Sequence, residues 1–100
     1  MIKVTYSVNE NNFVNLDVKG HAQFAEYGKD LICASVSSIT FGLMNALDGI
    51  KGVTIKELNN HIEIINESKS RKVNNYLELA LIQLKTIEES YSEFIKVERK

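Results

Sequence analysis

A chain of 100 residues with 44% hydrophobic and 25% charged side chains has the make-up of one folded domain, too short to build a second core. Its formal net charge of −1, from 12 Lys and Arg dispersed among 13 Asp and Glu, excludes a function built on a phosphate-binding basic surface, so no direct nucleic-acid partner is expected. The final Glu98-Arg99-Lys100 is read as a solvated end. Met1-Ile2-Lys3-Val4 leads directly into an alternating pattern without the basic start and long apolar run of an export signal. The most apolar stretch, Leu31 to Leu47, is broken by Ser35, Ser37, Ser38, Thr40 and Asn45, short of the roughly 18 uninterrupted apolar residues that span a bilayer. A single cysteine closes no internal disulfide and suits a reducing cytoplasm, which leaves it packing or chemistry to do.

In chain order, Ile2 to Val8 alternates apolar and polar residues as a half-buried strand does. Asn9-Glu10-Asn11-Asn12 is a turn, since Asn tolerates left-handed geometry. Phe13 to Lys19, with Val14, Leu16 and Val18 on its inner face, completes an antiparallel hairpin. Gly20 to Lys29 follows no period and is read as a loop between Gly20 and Gly28. Asp30 is placed to cap a helix from about Leu31 to Leu47, whose small and apolar residues nearly all round predict extensive burial. Val53 to Leu58 and His61 to Ile65 read as two strands joined by a tight turn at Asn59-Asn60. After the polar Asn66 to Ser70, an apolar stripe of Val73, Leu77, Ala80, Leu81, Leu84, Ile87, Tyr91 and Phe94 predicts a long second helix, with Glu78, Lys85, Glu88, Glu89 and Lys96 opposite. The order ββαββα predicts an α+β domain, a mainly antiparallel four-stranded sheet packed with two helices.

Chemistry can come from few places. With Asp30 as N-cap, Cys33 is the third helical residue, where free backbone N–H groups and the helix dipole favour a thiolate. His21, leaving the second strand, is the imidazole that could hold that thiolate and protonate a leaving amine. N–H groups around Cys33 could form an oxyanion hole, worth about 3 kcal/mol per donor. Ser37 lies one turn beyond Cys33 on the same side; its hydroxyl could bond the imidazole, the substrate backbone or a carbonyl of the preceding turn. Asp30 could orient His21 as well as cap the helix. The plainer alternatives are a packed Cys33 and a turn-forming His21. His61 has no acidic neighbour in the pattern and reads as surface. One Cys and two separated His lack the spacing of a zinc site, so no metal or other cofactor is expected. Phe24 and Tyr27 sit in the loop, where they line an apolar pocket or anchor the loop itself.

Gly20-His21-Ala22 followed by Gly28-Lys29-Asp30-Leu31-Ile32-Cys33-Ala34, with Ser37 beyond, resembles the ribosomal-processing cysteine protease family (Prp). The resemblance runs over the whole chain, 1–100, as a single protease domain, and includes Leu43-Met44-Asn45-Ala46-Leu47 and Leu84-Lys85-Thr86-Ile87-Glu88-Glu89. It implies a cytoplasmic homodimer that removes the N-terminal extension of a large-subunit ribosomal protein precursor, with an apolar pocket for the aromatic end of that extension. It further implies Cys33 and His21 as the catalytic pair, Asp30 and Ser37 as supporting residues, and Gly20 and Gly28 as hinges of a loop that orders on substrate. The short connection between the third and fourth strands and the Ser35-Val36 pair depart from the family pattern, away from the catalytic pair. Other classes are a non-enzymatic module that binds the ribosome or an assembly factor through a structural Cys33, and a thiol redox protein, which lacks a resolving cysteine.

Overall fold

The computed structural model describes residues 1–20 and 29–100. Its elements are β1 (Ile2–Asn9), β2 (Asn12–Lys19), α1 (Lys29–Leu47), β3 (Val53–Leu58), β4 (His61–Asn66), α2 (Arg71–Tyr91) and β5 (Ile95–Arg99). The expected ββαββα order is present, and the sheet has five strands in the order β3-β4-β2-β1-β5. The first four pair antiparallel, and β5 pairs parallel with β1.

The fifth strand corrects the reading of the chain's end. Phe94 and Lys96 were expected on the second helix, which instead stops at Tyr91 with Ser92 as its C-cap. Ile95 falls four residues after Tyr91 and so continues the helical stripe, while it also alternates with Val97 as a strand would, and so short a run does not let local pattern choose. Pairing with β1 decides it: Ile95 stands opposite Ile2, and both are fully buried. The Ile2 N–H donates to the Phe94 carbonyl (2.8 Å), and the Val97 N–H donates to Glu88 Oε2 (2.8 Å), tying β5 back to α2. Nor is the end of the chain merely solvated, because the Lys100 N–H donates to the Tyr6 carbonyl at 2.8 Å.

Alternation along the strands separates the two faces of the sheet. One face carries Ile2, Val4, Leu16, Val18, Ile62, Ile64 and Ile95, and both helices pack on it. From α1 come Ile32, Val36, Leu43 and Leu47; from α2 come Val73, Leu77, Ala80, Leu81 and Leu84. The burial of α1 is therefore one-sided, contrary to the expectation of a helix covered nearly all round. Leu31 and Phe41 on its outward side are 68% and 40% exposed. A two-layer domain offers a helix one sheet and one neighbour, and an apolar composition alone does not add a third layer.

The turns follow from their residues. Glu10 and Asn11 both take positive φ (53° and 68°), the pairing that a two-residue hairpin turn requires. Ser70 caps α2 by accepting the Val73 N–H on its hydroxyl at 3.2 Å. Buried Asn66 knits the connection to it, donating to the Phe13 carbonyl (2.8 Å) and accepting from the Ser68 N–H (3.0 Å). Ile95→Ala should lower the unfolding free energy by about 3 kcal/mol in a urea titration, as expected for a core position. A loss under about 0.5 kcal/mol would mark Ile95 as a surface residue and remove β5.

Candidate functional site

Helix α1 begins at Lys29, two residues before the expected start at Leu31. Asp30 is therefore inside the first turn and not at the N-cap. The sequence signal is the same in both cases, because a carboxylate is favoured at the cap and through the first turn. Cys33 becomes the fifth helical residue, not the third. Its own N–H falls within the helical ladder, and the N–H groups that have no acceptor inside the helix belong to the turn before it. Helical side chains lean toward the N-terminus, so the thiol is carried toward those donors.

Asp30, Cys33 and Ser37 recur at steps of three and four along α1 and share one flank of the helix. Cys33 and Ser37 are both half-buried, between the buried line of Ile32 and Val36 and the exposed Ala34 and Ser38. Cys33 packs against the edge of the core while retaining access to solvent. Of the neighbouring hydroxyls, Ser35 donates to the Leu31 carbonyl (2.9 Å) and Thr40 to the Val36 carbonyl (2.8 Å).

The chain that carries His21, Phe24, Tyr27 and Gly28 lies outside the described residues, and Gly20 is its point of departure. Gly20 has φ +79°, and a Cβ there would stand 2.8 Å from the Met1 carbonyl oxygen. Its N–H donates to the Asn60 carbonyl at 2.7 Å, and Asn60 itself has φ 57°. Only glycine combines that backbone angle with so close an approach. The end of β2 is thus fixed to the start of β1 and to the β3–β4 turn.

The other histidine is not the isolated surface residue that its pattern suggested. His61 is half-buried, and its Nε2 lies 3.8 Å from Oδ1 of Asp17, a carboxylate only 6% exposed. The Lys100 ammonium holds the other oxygen of Asp17 at 2.8 Å. His61 stands opposite Lys19, on the sheet face turned away from both helices, while its neighbour Ile62 points into the core. The thickness of the sheet separates it from Cys33.

Two further features lie elsewhere. A polar cleft of about 320 Å³, bounded by Asn9, Glu10, Phe13, Asn66 and Lys69, opens at the β1–β2 turn, the far end of that hairpin from Gly20. Among the described residues, no group of three or more His, Cys, Asp or Glu side chains is placed to hold a metal ion.

Residues 1–96 match the family described as cysteine protease Prp. The ribosomal processing cysteine protease Prp of Staphylococcus aureus is 32% identical over 106 residues, covering 100% of both chains. A crystal structure of the ribosomal processing protease Prp from S. aureus in complex with a substrate peptide superposes with a TM-score of 0.89 at 31% identity, over 100% of each chain. A second, with a covalently linked product peptide, gives a TM-score of 0.83 at 32% identity, again over 100% of each chain.

Because Gly20 combines a left-handed φ with a backbone contact, Gly20→Ala should cost roughly 1–3 kcal/mol of stability. A urea midpoint equal to that of the parent would contradict the junction described at Met1, Gly20 and Asn60.

Proposed function

Because the chain belongs to the Prp family of cysteine proteases, we propose that it is the endopeptidase that removes the N-terminal extension from a large-subunit ribosomal protein precursor, using Cys33 and His21. The observation that carries this reading is the position of Cys33, half-buried in the second turn of α1 on the same side as Ser37, with access to solvent. The far-face location of His61 supports His21 as the acid–base partner.

In the proposed reaction the Cys33 thiolate adds to the scissile carbonyl carbon, and the resulting oxyanion is held by N–H groups of the first helical turn. Collapse of this intermediate breaks the C–N bond, and the departing amine takes its proton from the His21 imidazolium. A thioester remains on Cys33. His21, now neutral, accepts a proton from water as the hydroxide attacks the thioester; cleavage of the C–S bond releases the carboxylic acid, which ionises to solvent, and restores the Cys33 thiolate and His21 imidazolium. Asp30 stabilises the helix start by its charge, and Ser37 lines the same flank. Gly20 and Gly28 bound the segment that carries His21, with Gly20 as the fixed end.

The substrate assignment draws on the names of the relatives, which are ribosomal processing proteases. The cytoplasm is the compartment we assign, since ribosomal precursors are made there; no helix among the described residues is long and apolar enough to cross a membrane. We also propose a homodimer. Exposed Leu31 and Phe41 on α1, with Leu79 and Ile82 on α2, give the outer helical surface an apolar character suited to a partner.

Cys33→Ala should abolish cleavage of a peptide spanning the precursor junction while the far-UV circular dichroism and melting midpoint stay near those of the parent. His21→Ala should lower kcat by about 10²-fold or more. Turnover retained by the Cys33 variant, or a loss under about tenfold in the His21 variant, would remove that residue from the mechanism.

A further inference from the structure

The sheet face turned away from the helices carries an ordered pattern of charge that the linear sequence conceals. Register aligns Lys96, Lys3, Lys19 and His61 in one row across four adjacent strands: Lys3 stands opposite both Lys96 and Lys19, and Lys19 stands opposite His61. The neighbouring row, two residues along each strand, holds Glu98, Thr5, Asp17 and Glu63 in the same strand order. Like charges placed directly opposite across strands destabilise a sheet, and the neighbouring carboxylates relieve this only in part. Glu98 lies 3.7 Å from Lys96, whereas Asp17 is engaged by Lys100 at 2.8 Å. Among the described residues neither Lys3 nor Lys19 makes an ion pair, and both are exposed. Three lysines in line, with the central one opposed on both sides, form a surface that an anionic partner would complete.

We infer that this row docks an acidic peptide segment of a partner protein. Strands lie about 4.8 Å apart, so the row spans about 14 Å, close to the 13 Å covered by three alternate side chains of an extended peptide. The positive strip is one side chain wide, and the row beside it is charge-balanced, with Glu98 and Asp17 met by Lys96 and Lys100 and Glu63 opposite Lys56, so a broad polyanion such as a nucleic-acid duplex finds no second positive strip. No Phe, Tyr or Trp stands on the paired positions of this face, so the single imidazole of His61 is all that it offers to single-stranded bases and successive bases have no stacking platform. An extended peptide with carboxylates along one edge and amides or hydroxyls along the other matches both rows at once. This surface stands apart from Cys33, and the inference holds whether or not the proposed substrate is the right one.

The test uses the full chain and a fluorescein-labelled (Glu-Ser)₄ peptide in an anisotropy titration at low salt. Binding should be saturable and weaken as salt rises. The Lys3→Gln/Lys19→Gln double variant should bind at least tenfold more weakly, keep the peptidase rate of the parent, and melt about 2 °C higher because the opposed charges are gone. Lys3→Glu/Lys19→Glu should reverse the preference and bind (Lys-Ser)₄. Equal affinity in parent and double variant would overturn the inference. So would lysine-dependent binding of a 12-nucleotide RNA tighter than that of the peptide. A change in the mass measured by light scattering between parent and double variant, with no peptide present, would also overturn it by assigning the row to a second copy of the chain.

Discussion

Burial of one sheet face beneath α1 and α2 is the constraint on which the rest of this molecule depends. Once Leu16 and Val18 of β2 are committed to the core, Asp17 and Lys19 must face the other way. The same alternation in β4 turns Ile62 and Ile64 inward and His61 and Glu63 outward. A thiol on α1 and a histidine on β4 are thereby held on opposite sides of a sheet. In the proposed mechanism the acid–base partner is instead His21, which follows the end of β2 in the chain.

The point at which that chain leaves is built with care. The Gly20 N–H is held by the Asn60 carbonyl, its Cα is packed against the Met1 carbonyl, and Met1 precedes the strand that β5 pairs with on its other side. Strand β5 therefore matters to the site as well as to the core, since pairing with β1 holds in place the residue that Gly20 packs against. Residues 21–28 connect this sheet to a helix whose inward face, Ile32 to Leu47, is packed in the same core. Sites built on regular elements hold their geometry better than those carried wholly on loops.

Much of this was legible in the sequence, for local reasons. The β1–β2 turn was written in Asn9-Glu10-Asn11-Asn12, the start of α2 in the polar run ending at Ser70, and its buried face in the spacing of Val73, Leu77 and Leu84. The shared side of Cys33 and Ser37 follows from helical spacing and survives the earlier start of α1, because moving a helix start does not change which residues share a face; Asp30, read as the cap, falls inside the helix instead. What sequence did not convey was long-range pairing. Ile95 to Arg99 became a strand because β1 had an open edge, and Asp17 gained His61 and Lys100 as neighbours only through register set 44 and 83 residues away. The lysine row has the same origin: residues 3, 19 and 96 are dispersed along the chain and adjacent in the sheet.

The catalytic claim is most directly tested by covalent capture. A peptide ending in two aromatic residues and carrying a C-terminal chloromethyl ketone, incubated with the protein at neutral pH and followed by intact mass and peptide mapping, should add one equivalent, located on Cys33. The same labelling should be about 10²-fold slower in His21→Ala. Adduct on any residue other than Cys33, or equal rates in parent and variant, would contradict the account.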